Sequence, residues 1–273
     1  MRHQKMVTTR EPMVIEPFKS VQLHSFGIDV SADIEFTTPE GNIIDKHVDR
    51  LWLSMIIDVA TTAVLGWHLS INKEYSAFDI LACIRNALIP SKPNTPSLNG
   101  LSHPAAGGFY SSVFPDLTWS VWDELIIDAD KAILSTKVIQ ELINTIGCTM
   151  KFGPSKALLS RSFLEKWFRT FEINFFFHRL HSRVENVPGL KKANTVRNAT
   201  PYKIKYEHLL ELTEFEIATY NGSPKRQFDF VSPLERLKDN KDKFPIRKLS
   251  EESQAQVINM SSLSFDKMLS RRR

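Results

Sequence analysis

LIIDADKAILS, at residues 125–135, is the segment that decides the fold of this chain, together with RSFLEKWFRTF at residues 161–171. In the first segment an apolar run delivers Asp128 to the end of a predicted strand. In the second segment Glu165 lies within a predicted amphipathic helix, whose apolar residues recur at helical spacing. Two carboxylates that are brought together from a strand end and a helix can hold divalent metal for phosphoryl-transfer chemistry.

Hydrophobic patterning around these two segments predicts a mixed α/β domain. Apolar runs and their flanking turn residues predict strands at 21–36, 51–59, 63–71, 122–128 and 148–152. Apolar residues at helical spacing predict helices at about 76–88, 135–146, 158–179 and 206–220. The proline-rich segment 89–118 is expected to be a peripheral loop insertion, because loops of this length are uncommon inside compact domains.

Composition limits the classes of protein to consider. Hydrophobic residues make up 42% of the 273 residues, which is enough for a folded core. The formal net charge of +4 is compatible with nucleic-acid binding but does not indicate it. The chain has neither the roughly 18-residue apolar run of a membrane span nor a signal peptide. Cys83 and Cys148 have no metal-ligand spacing, so we expect an intracellular protein with two buried thiols.

The two opening segments match a known catalytic pattern. Residues 161–171 follow the pattern Lys-Gly-x-Val-Glu-Arg-x-Phe-Arg-Thr-Leu, and residues 128–130 stand where the same family has Asp-Asn-Gly. The stretch resembles the second half of the DDE catalytic core of retroviral integrases and DNA transposases. Residues 18–237 as a whole resemble the integrase core of the Mu-type and TnsB-type transposases. The resemblance implies a ribonuclease-H-like (integrase core) fold, which is an α/β fold with a mixed sheet flanked by helices.

The resemblance also divides the chain. It implies an extended lead-in at 1–17, an integrase or transposase catalytic core at 18–182 that contains the 89–118 loop insertion, a post-core helical extension at 183–240 and a charged tail at 241–273. Mu-type and TnsB-type transposases are much longer, with DNA-end-binding domains before the core and a small β-barrel after it. We therefore expect the chain to be one piece of a split system or a remnant of a larger enzyme.

The chain departs from the family at the first catalytic carboxylate. The family's first strand reads Gln-Ile-Asp-Ala-Thr-x-x-Asp-Val, whereas residues 22–30 read QLHSFGIDV, which puts His24 in the place of the first metal-binding Asp. The resemblance thus implies a catalytic set of His24, Asp128 and Glu165, with Mg²⁺ or Mn²⁺ held by Asp128 and Glu165. A neutral imidazole brings no negative charge, and Mg²⁺ prefers oxygen ligands. Asp29 lies at odd spacing from His24, so only a bulge would bring it to the same face of the strand.

Two further matches carry no catalytic residue. Asp58 falls in the second predicted strand at a family position outside the catalytic three, so we expect a structural role for it. Residues 217–224 and 232–235 resemble the segment that follows the core in transposases, with Lys225 in place of its usual His.

A basic helix face is the candidate DNA contact. Arg161, Glu165 and Arg169 are spaced to share one face of the predicted helix. In the resembling family this face meets DNA phosphates beside the metal site, whereas an ordinary solvated salt-bridge face is the alternative. The candidate phosphate contacts are Arg161, Lys166, Arg169, Lys191, Lys192 and Arg197.

Two functions follow from the resemblance. The first is a DDE-type transposase or integrase of a mobile element, which would carry out DNA integration and recombination by metal-dependent phosphoryl transfer. The second is a catalytically inactive protein with the transposase-core fold, which would bind DNA or assist transpososome assembly. Both imply DNA as a partner, together with a homo-oligomer or other transposition proteins and no membrane. Both also imply a bacterial, cytoplasmic and nucleoid-associated protein.

Overall fold

The computed structural model describes residues 15–38, 40–91, 97–98, 101–102, 104–128, 142–153, 202–226 and 229–260. The predicted helix around Glu165 lies outside the described residues, as do all six candidate phosphate contacts. The backbone of Asp128 is described, because this residue ends a strand, but its side chain is not.

Three long strands form an antiparallel meander at the start of the domain. They are β1 (Ser20–Thr37), β2 (Ile43–Asp58) and β3 (Val64–Ser70). β1 pairs with β2 along nearly their whole length, from Val21 opposite Asp58 to Thr37 opposite Ile43. Apolar residues facing both sides of the sheet explain the strand conformation near the β2–β3 turn, where every residue of β2 from Leu53 to Asp58 is buried.

Five helices and five shorter strands complete the described part of the chain, together with two single turns. The helices are α1 (Ala77–Leu88), α2 (Tyr110–Val113), α3 (Tyr206–Gly222), α4 (Pro233–Asn240) and α5 (Glu251–Asn259). The strands are β4 (Ser120–Val121), β5 (Glu124–Asp128), β6 (Thr149–Gly153), β7 (Tyr202–Lys205) and β8 (Arg247–Lys248). A 3₁₀ turn covers Pro115–Leu117 and a π-helical turn covers Leu142–Ile146. None of the described helices is long and apolar enough to cross a membrane.

The main sheet has the strand order β3-β2-β1-β5-β6, with β7 also paired to β1. β5 and β6 run parallel to β1, whereas the first three strands are antiparallel. An antiparallel meander of three strands, extended by parallel strands beside the first strand, is the arrangement of the ribonuclease-H-like fold. The predicted fold class, a mixed sheet flanked by helices, is confirmed.

Two apolar cores lie on the two faces of this sheet. Core one lies under α1 and contains Val21 and Leu23 of β1. Core two lies under α3 and contains Ile28 and Val30 of the same strand. The odd-numbered residues at the start of β1 therefore belong to core one, and the even-numbered residues that follow belong to core two, as the alternation of a strand requires.

The insertion predicted at 89–118 is not peripheral at its end. Tyr110 is only 1% exposed, and its hydroxyl donates a hydrogen bond to the carbonyl oxygen of Ala87 at 2.8 Å. The apolar ring of Phe109 enters core two. The expectation was wrong here because proline and glycine content indicates a loop but does not indicate where that loop packs.

Elements outside the predicted core also belong to the fold. β7 pairs with β1 although residues 183–240 are expected to form a helical extension, and α3 supplies much of core two. In the predicted charged tail, Val257 is fully buried in core one, and Arg247 donates hydrogen bonds to the Trp122 carbonyl (2.6 Å) and to Asp123 (2.7 Å). The boundary between core and extension stays a prediction, since residues 154–201 lie outside the described residues.

Candidate functional site

The β1–β5 ladder brings the backbone positions of His24 and Asp128 side by side. These parallel strands pair from Ser20 opposite Glu124 to Leu23 opposite Ile127. His24 and Asp128 are the next residues of the two strands, so their backbones are neighbours across the sheet. This register depends on a long-range pairing that local sequence patterns do not reveal.

His24 lies on the side of the sheet that carries core two. Its neighbours in sequence, Leu23 and Ser25, face the other way, and its partner across β2 is Met55, which is fully buried in core two. The His24 side chain is itself only partly buried. The strand thus holds the imidazole on a packed support and leaves part of the side chain exposed.

His24 lies in a stretch of β1 between the end of one neighbouring strand and the start of another. β5 accompanies β1 only to Leu23, and β7 joins it only from Ala32. Within the described residues, neither strand accompanies residues 24–31 of β1. Ligand sites of α/β proteins lie outside the carboxyl ends of parallel strands where neighbouring connections diverge. The end of β5 at Asp128 is therefore suited to a binding site.

Asp29 does not join His24. Its carboxylate oxygen Oδ1 accepts a hydrogen bond from Nε of Arg50 at 2.7 Å and lies 2.7 Å from Nη2 of the same guanidinium, and its side chain is 65% exposed. A register shift is present in β1, but it falls between Asp29 and Ala32 and so comes after Asp29. The five-residue spacing from His24 therefore keeps the two side chains on opposite faces of the strand.

Asp58 has a structural role in the β2–β3 turn. Oδ1 accepts a hydrogen bond from the backbone N–H of Phe18 at 2.8 Å, and Oδ2 accepts two from Thr61, from its backbone N–H at 2.8 Å and its hydroxyl at 2.6 Å. Burial raises the pKa of the Asp58 carboxyl, and the three donated hydrogen bonds oppose this rise. With its acceptors occupied in this way, Asp58 is not a metal ligand.

The segment that resembles the transposase post-core region is also structural where the structure describes it. The Asn221 side chain exchanges two hydrogen bonds with the backbone of Val64, at 2.9 and 3.0 Å, and donates another to the Gly108 carbonyl at 2.9 Å. Lys225 lies over the ring of Tyr220, with its ammonium 4.2 Å from the ring centroid, and burial lowers the pKa of this lysine. Through these hydrogen bonds Asn221 connects the end of α3 to β3 of the sheet.

The donor set decides which metal would fit. Among the described residues, no group of three or more His, Cys, Asp and Glu side chains could hold a metal ion. A site built from His24, Asp128 and Glu165 would offer one imidazole and two carboxylates. Mn²⁺ accepts imidazole more readily than Mg²⁺, which favours oxygen ligands. This donor set therefore fits Mn²⁺ better than Mg²⁺.

Comparison with known proteins gives structural neighbours only. No protein-family model and no curated protein sequence matches the chain. The catalytic core domain of BIV integrase is similar at 10% identity and a TM-score of 0.42, over 84% of this chain and 99% of that chain. A chain of the simian T-cell lymphotropic virus intasome, solved in complex with PP2A regulatory subunit B56 gamma, is similar at 9% identity and a TM-score of 0.42, over 89% of this chain and 62% of that chain. The fold conclusion rests on the strand order and register of this chain itself.

Proposed function

We propose that this protein is an integrase- or transposase-like protein that acts on DNA in recombination, with a site formed by His24, Asp128 and Glu165. The observation that carries the proposal is the β1–β5 register. It supports positions 24 and 128 as backbone neighbours at the point where the pairing of the two strands ends. The match of residues 161–171 to the family's glutamate-bearing helix supports the third position.

The residues of the site take different roles in this proposal. Asp128 and Glu165 would hold the divalent cation, and His24 would stand beside them where the family has a carboxylate. When bound, such a cation neutralises charge that develops on a phosphodiester during in-line attack. The chain's own contribution would be to orient the phosphate, through the basic side chains of the predicted helix face that begins at Arg161.

A second candidate function is a catalytically inactive protein that binds DNA or assists assembly of a recombination complex. The state of the nearby carboxylates favours it: Asp29 is paired with Arg50 on the other face, and Asp58 is buried in a turn. Neither can supply the carboxylate that His24 lacks. Loss of one ligand charge removes much of the electrostatic stabilisation on which this chemistry depends.

A nicking and strand-transfer assay in Mg²⁺ and in Mn²⁺ tests the first candidate. We expect wild type to show no cleavage in Mg²⁺ and weak cleavage in Mn²⁺, because the imidazole is a poor Mg²⁺ ligand. His24→Asp should restore cleavage in Mg²⁺ by at least about tenfold, since it returns the missing oxygen ligand. Asp128→Asn should abolish cleavage with either metal.

The matched control for this assay is Asp29→Asn, which alters an exposed carboxylate of the same strand on the opposite face and should leave cleavage unchanged. Strong Mg²⁺-dependent strand transfer by wild type, lost in Asp128→Asn, would mean that the site is complete despite His24. An inactive His24→Asp variant that still binds DNA would favour the assembly protein.

Salt-dependent binding tests the proposed DNA surface. Contacts to phosphates weaken binding by about 0.9 log unit per contact for each tenfold rise in salt. The double variant Arg161→Glu, Arg169→Glu should therefore bind every duplex sequence more weakly and with a smaller salt slope. Lys73→Glu, which changes an exposed lysine between β3 and α1, is the charge-matched control for each of the two single variants, Arg161→Glu and Arg169→Glu. Binding that is insensitive to salt, or that prefers one sequence, would contradict the proposal.

A further inference from the structure

A cleft of about 260 Å³ lies beside β3, between the end of α1 and α3. Its volume is below the roughly 300–1,000 Å³ of sites for drug-sized ligands, so it suits a single side chain or a ligand of that size. None of the residues that line it belongs to β1 or β5, the two strands that carry His24 and Asp128. The cleft is therefore separate from the candidate site.

The charge of the cleft is negative. Among the residues that line it, Glu214 of α3 is the only charged one, and it is partly buried. A carboxylate in a partly enclosed cleft attracts a cation more strongly than one in open water, because the effective dielectric constant is lower. A carboxylate accepts up to about four hydrogen bonds, so a ligand can add to the contacts that Glu214 makes within the chain.

The carboxyl end of α1 adds to this negative potential. Asn86 and Pro90 both line the cleft, and Pro90 has no N–H that could donate the helical hydrogen bond to the carbonyl oxygen of Asn86. The carbonyl end of a helix carries a partial negative charge that favours cations. Arg85, the basic residue of the last turn, does not line the cleft, and its Nε donates a hydrogen bond to the carbonyl oxygen of Ile258 at 3.3 Å.

Aromatic and aliphatic residues form the rest of the lining that matters here. Trp67 is half-buried against core two, Phe109 is 7% exposed in that core, and Ile89 is half-buried. An aromatic ring attracts a cation over its face, and apolar surface suits the aliphatic stem of a long basic side chain. The Asn86 amide donates a hydrogen bond to the carbonyl oxygen of Trp67 at 2.9 Å, which holds α1 and β3 together at the cleft.

We propose that this cleft binds an alkyl guanidinium, the group that an arginine side chain carries. A guanidinium is planar, pairs with a carboxylate through two hydrogen bonds and stacks on aromatic rings. It would pair with Glu214 and stack against Trp67, while its aliphatic stem would lie along Ile89 and Phe109. The same charges disfavour phosphates, so this binding is independent of the proposed action on DNA.

Titration with two probes tests the proposal and identifies the source of the guanidinium. N-acetyl-arginine-methylamide imitates an arginine within a peptide, and agmatine is a free alkyl guanidinium. We expect a Kd of about 1 mM or below for the better probe, as for other small ligands. Tighter binding of the arginine amide would indicate a peptide ligand, and tighter binding of agmatine would indicate a free cation.

The matched control ligand is N-acetyl-citrulline-methylamide, which has nearly the same shape without the charge. It should bind at least about tenfold more weakly than the arginine amide, because it cannot form a charge-assisted pair with Glu214. Equal binding of the two amides would overturn the proposal.

The indole N–H signals in nuclear magnetic resonance spectra locate the bound ligand without altering the cleft. The chain has five tryptophans, and the signal that disappears in Trp67→Phe is that of Trp67. In wild type this signal should shift more than the other four as the arginine amide is added. A larger shift of another indole, or no shift up to about 20 mM ligand, would refute binding in this cleft.

Glu214→Gln tests the carboxylate, and Glu207→Gln is its control, because Glu207 is an exposed residue of the same helix. Glu214→Gln should weaken binding of the arginine amide at least about tenfold, whereas Glu207→Gln should leave it unchanged. Both variants should melt like wild type by circular dichroism, since each keeps the shape of a side chain that is not fully buried. Unchanged binding in Glu214→Gln would contradict the proposal.

Discussion

The two halves of the β1–β2 hairpin are held in different ways. The near half comprises residues 20–28 and 51–58 and lies between core one and core two. It has β3 on one edge and, as far as Leu23, β5 on the other. The far half comprises residues 29–37 and 43–50, and most of its β2 residues are exposed. Both faces of the near half are buried, whereas the far half is buried only on the face of core two, by Val30, Ile34 and Val48. Its other face carries ion pairs across strands.

This difference explains the position of the candidate site. His24 belongs to the near half, so its backbone is set by buried neighbours on both faces. The far half begins five residues later, where β5 has already ended. A site near His24 combines a backbone that is held by buried neighbours with an edge of β1 that neither β5 nor β7 covers, within the described residues. Catalytic positions on rigid elements are held more precisely than positions on loops.

The largest expected effect tests burial at the near half. Asp58→Ala should reduce the free energy of unfolding by about 3–5 kcal/mol, because it leaves the buried N–H groups of Phe18 and Thr61 without their acceptor. Urea denaturation at neutral pH measures the loss. Asp49→Ala is the control in the far half, where an 84% exposed carboxylate should contribute less than about 0.5 kcal/mol. Equal losses for the two variants would refute the contrast between the halves.

A smaller effect is expected from two glycines. A Cβ on Gly66 of β3 would lie 2.3 Å from the Cα of Ala87, so β3 and α1 would have to separate. Gly66→Ala should therefore reduce the free energy of unfolding by about 1–3 kcal/mol. Ala87→Gly should not rescue it, since the clash is with backbone atoms.

The matched variant at the hairpin tip is Gly41→Ala. A Cβ there meets no atom within 4 Å, but the φ of +83° is one that alanine adopts only with strain. Gly41→Ala should reduce the free energy of unfolding by only about 1 kcal/mol, because backbone strain is its sole cost. Thermal denaturation of both variants separates a steric cost between β3 and α1 from a conformational cost at the tip of the β1–β2 hairpin.

The near half is also the part of the fold that sequence predicts well. Alternating and continuous apolar runs indicated β1 and β3, and Ser76 marked the start of α1, where it forms a capping box with Asp79. β2 was predicted only from residue 51 onward. Its first eight residues, IIDKHVDR, are mostly exposed and charged, so they carry no burial pattern that a sequence reading can detect.

The sequence likewise did not predict how polar or irregular segments pack. β7 adds only Tyr202–Lys205 to the sheet and its strand conformation comes from pairing with β1. In the tail, α5 is mostly exposed and contributes Val257 as its one fully buried residue, which leaves hardly any periodic signal. Tertiary contacts, and not local preference, determine such elements.

For the candidate site, the sequence supplied residue identities and the structure supplied one geometric relation. The match of flanking residues singled out His24, and the β1–β5 ladder makes it the backbone neighbour of Asp128. No local pattern could give this register, because the two positions are joined only through long-range pairing. The contribution of Glu165 stays a prediction, since its helix lies outside the described residues.

The smallest expected effect tests the ion pairs of the far half. Nδ1 of His47 lies 2.7 Å from a carboxylate oxygen of Asp33, and Nε2 lies 3.4 Å from one of Asp49. The hydrogen bond to Asp33 is the main reason why the pKa of His47 is raised above its ordinary value. A raised pKa in the folded state means that the charged imidazole stabilises the fold below its unfolded pKa of about 6.5. This stabilisation is lost as pH rises through the folded pKa.

As pH rises from about 6 to 8.5, we therefore expect the free energy of unfolding of wild type to fall by a few tenths of a kcal/mol relative to that of His47→Gln. The effect is small because exposed ion pairs contribute little. Urea denaturation of both proteins measures the difference. The difference should shrink at high salt, which screens exposed charges. If the stability of wild type relative to His47→Gln grew with pH, the assigned sign would be wrong. A change above about 1 kcal/mol would mean that this ion pair stabilises the far half more than exposed pairs usually do.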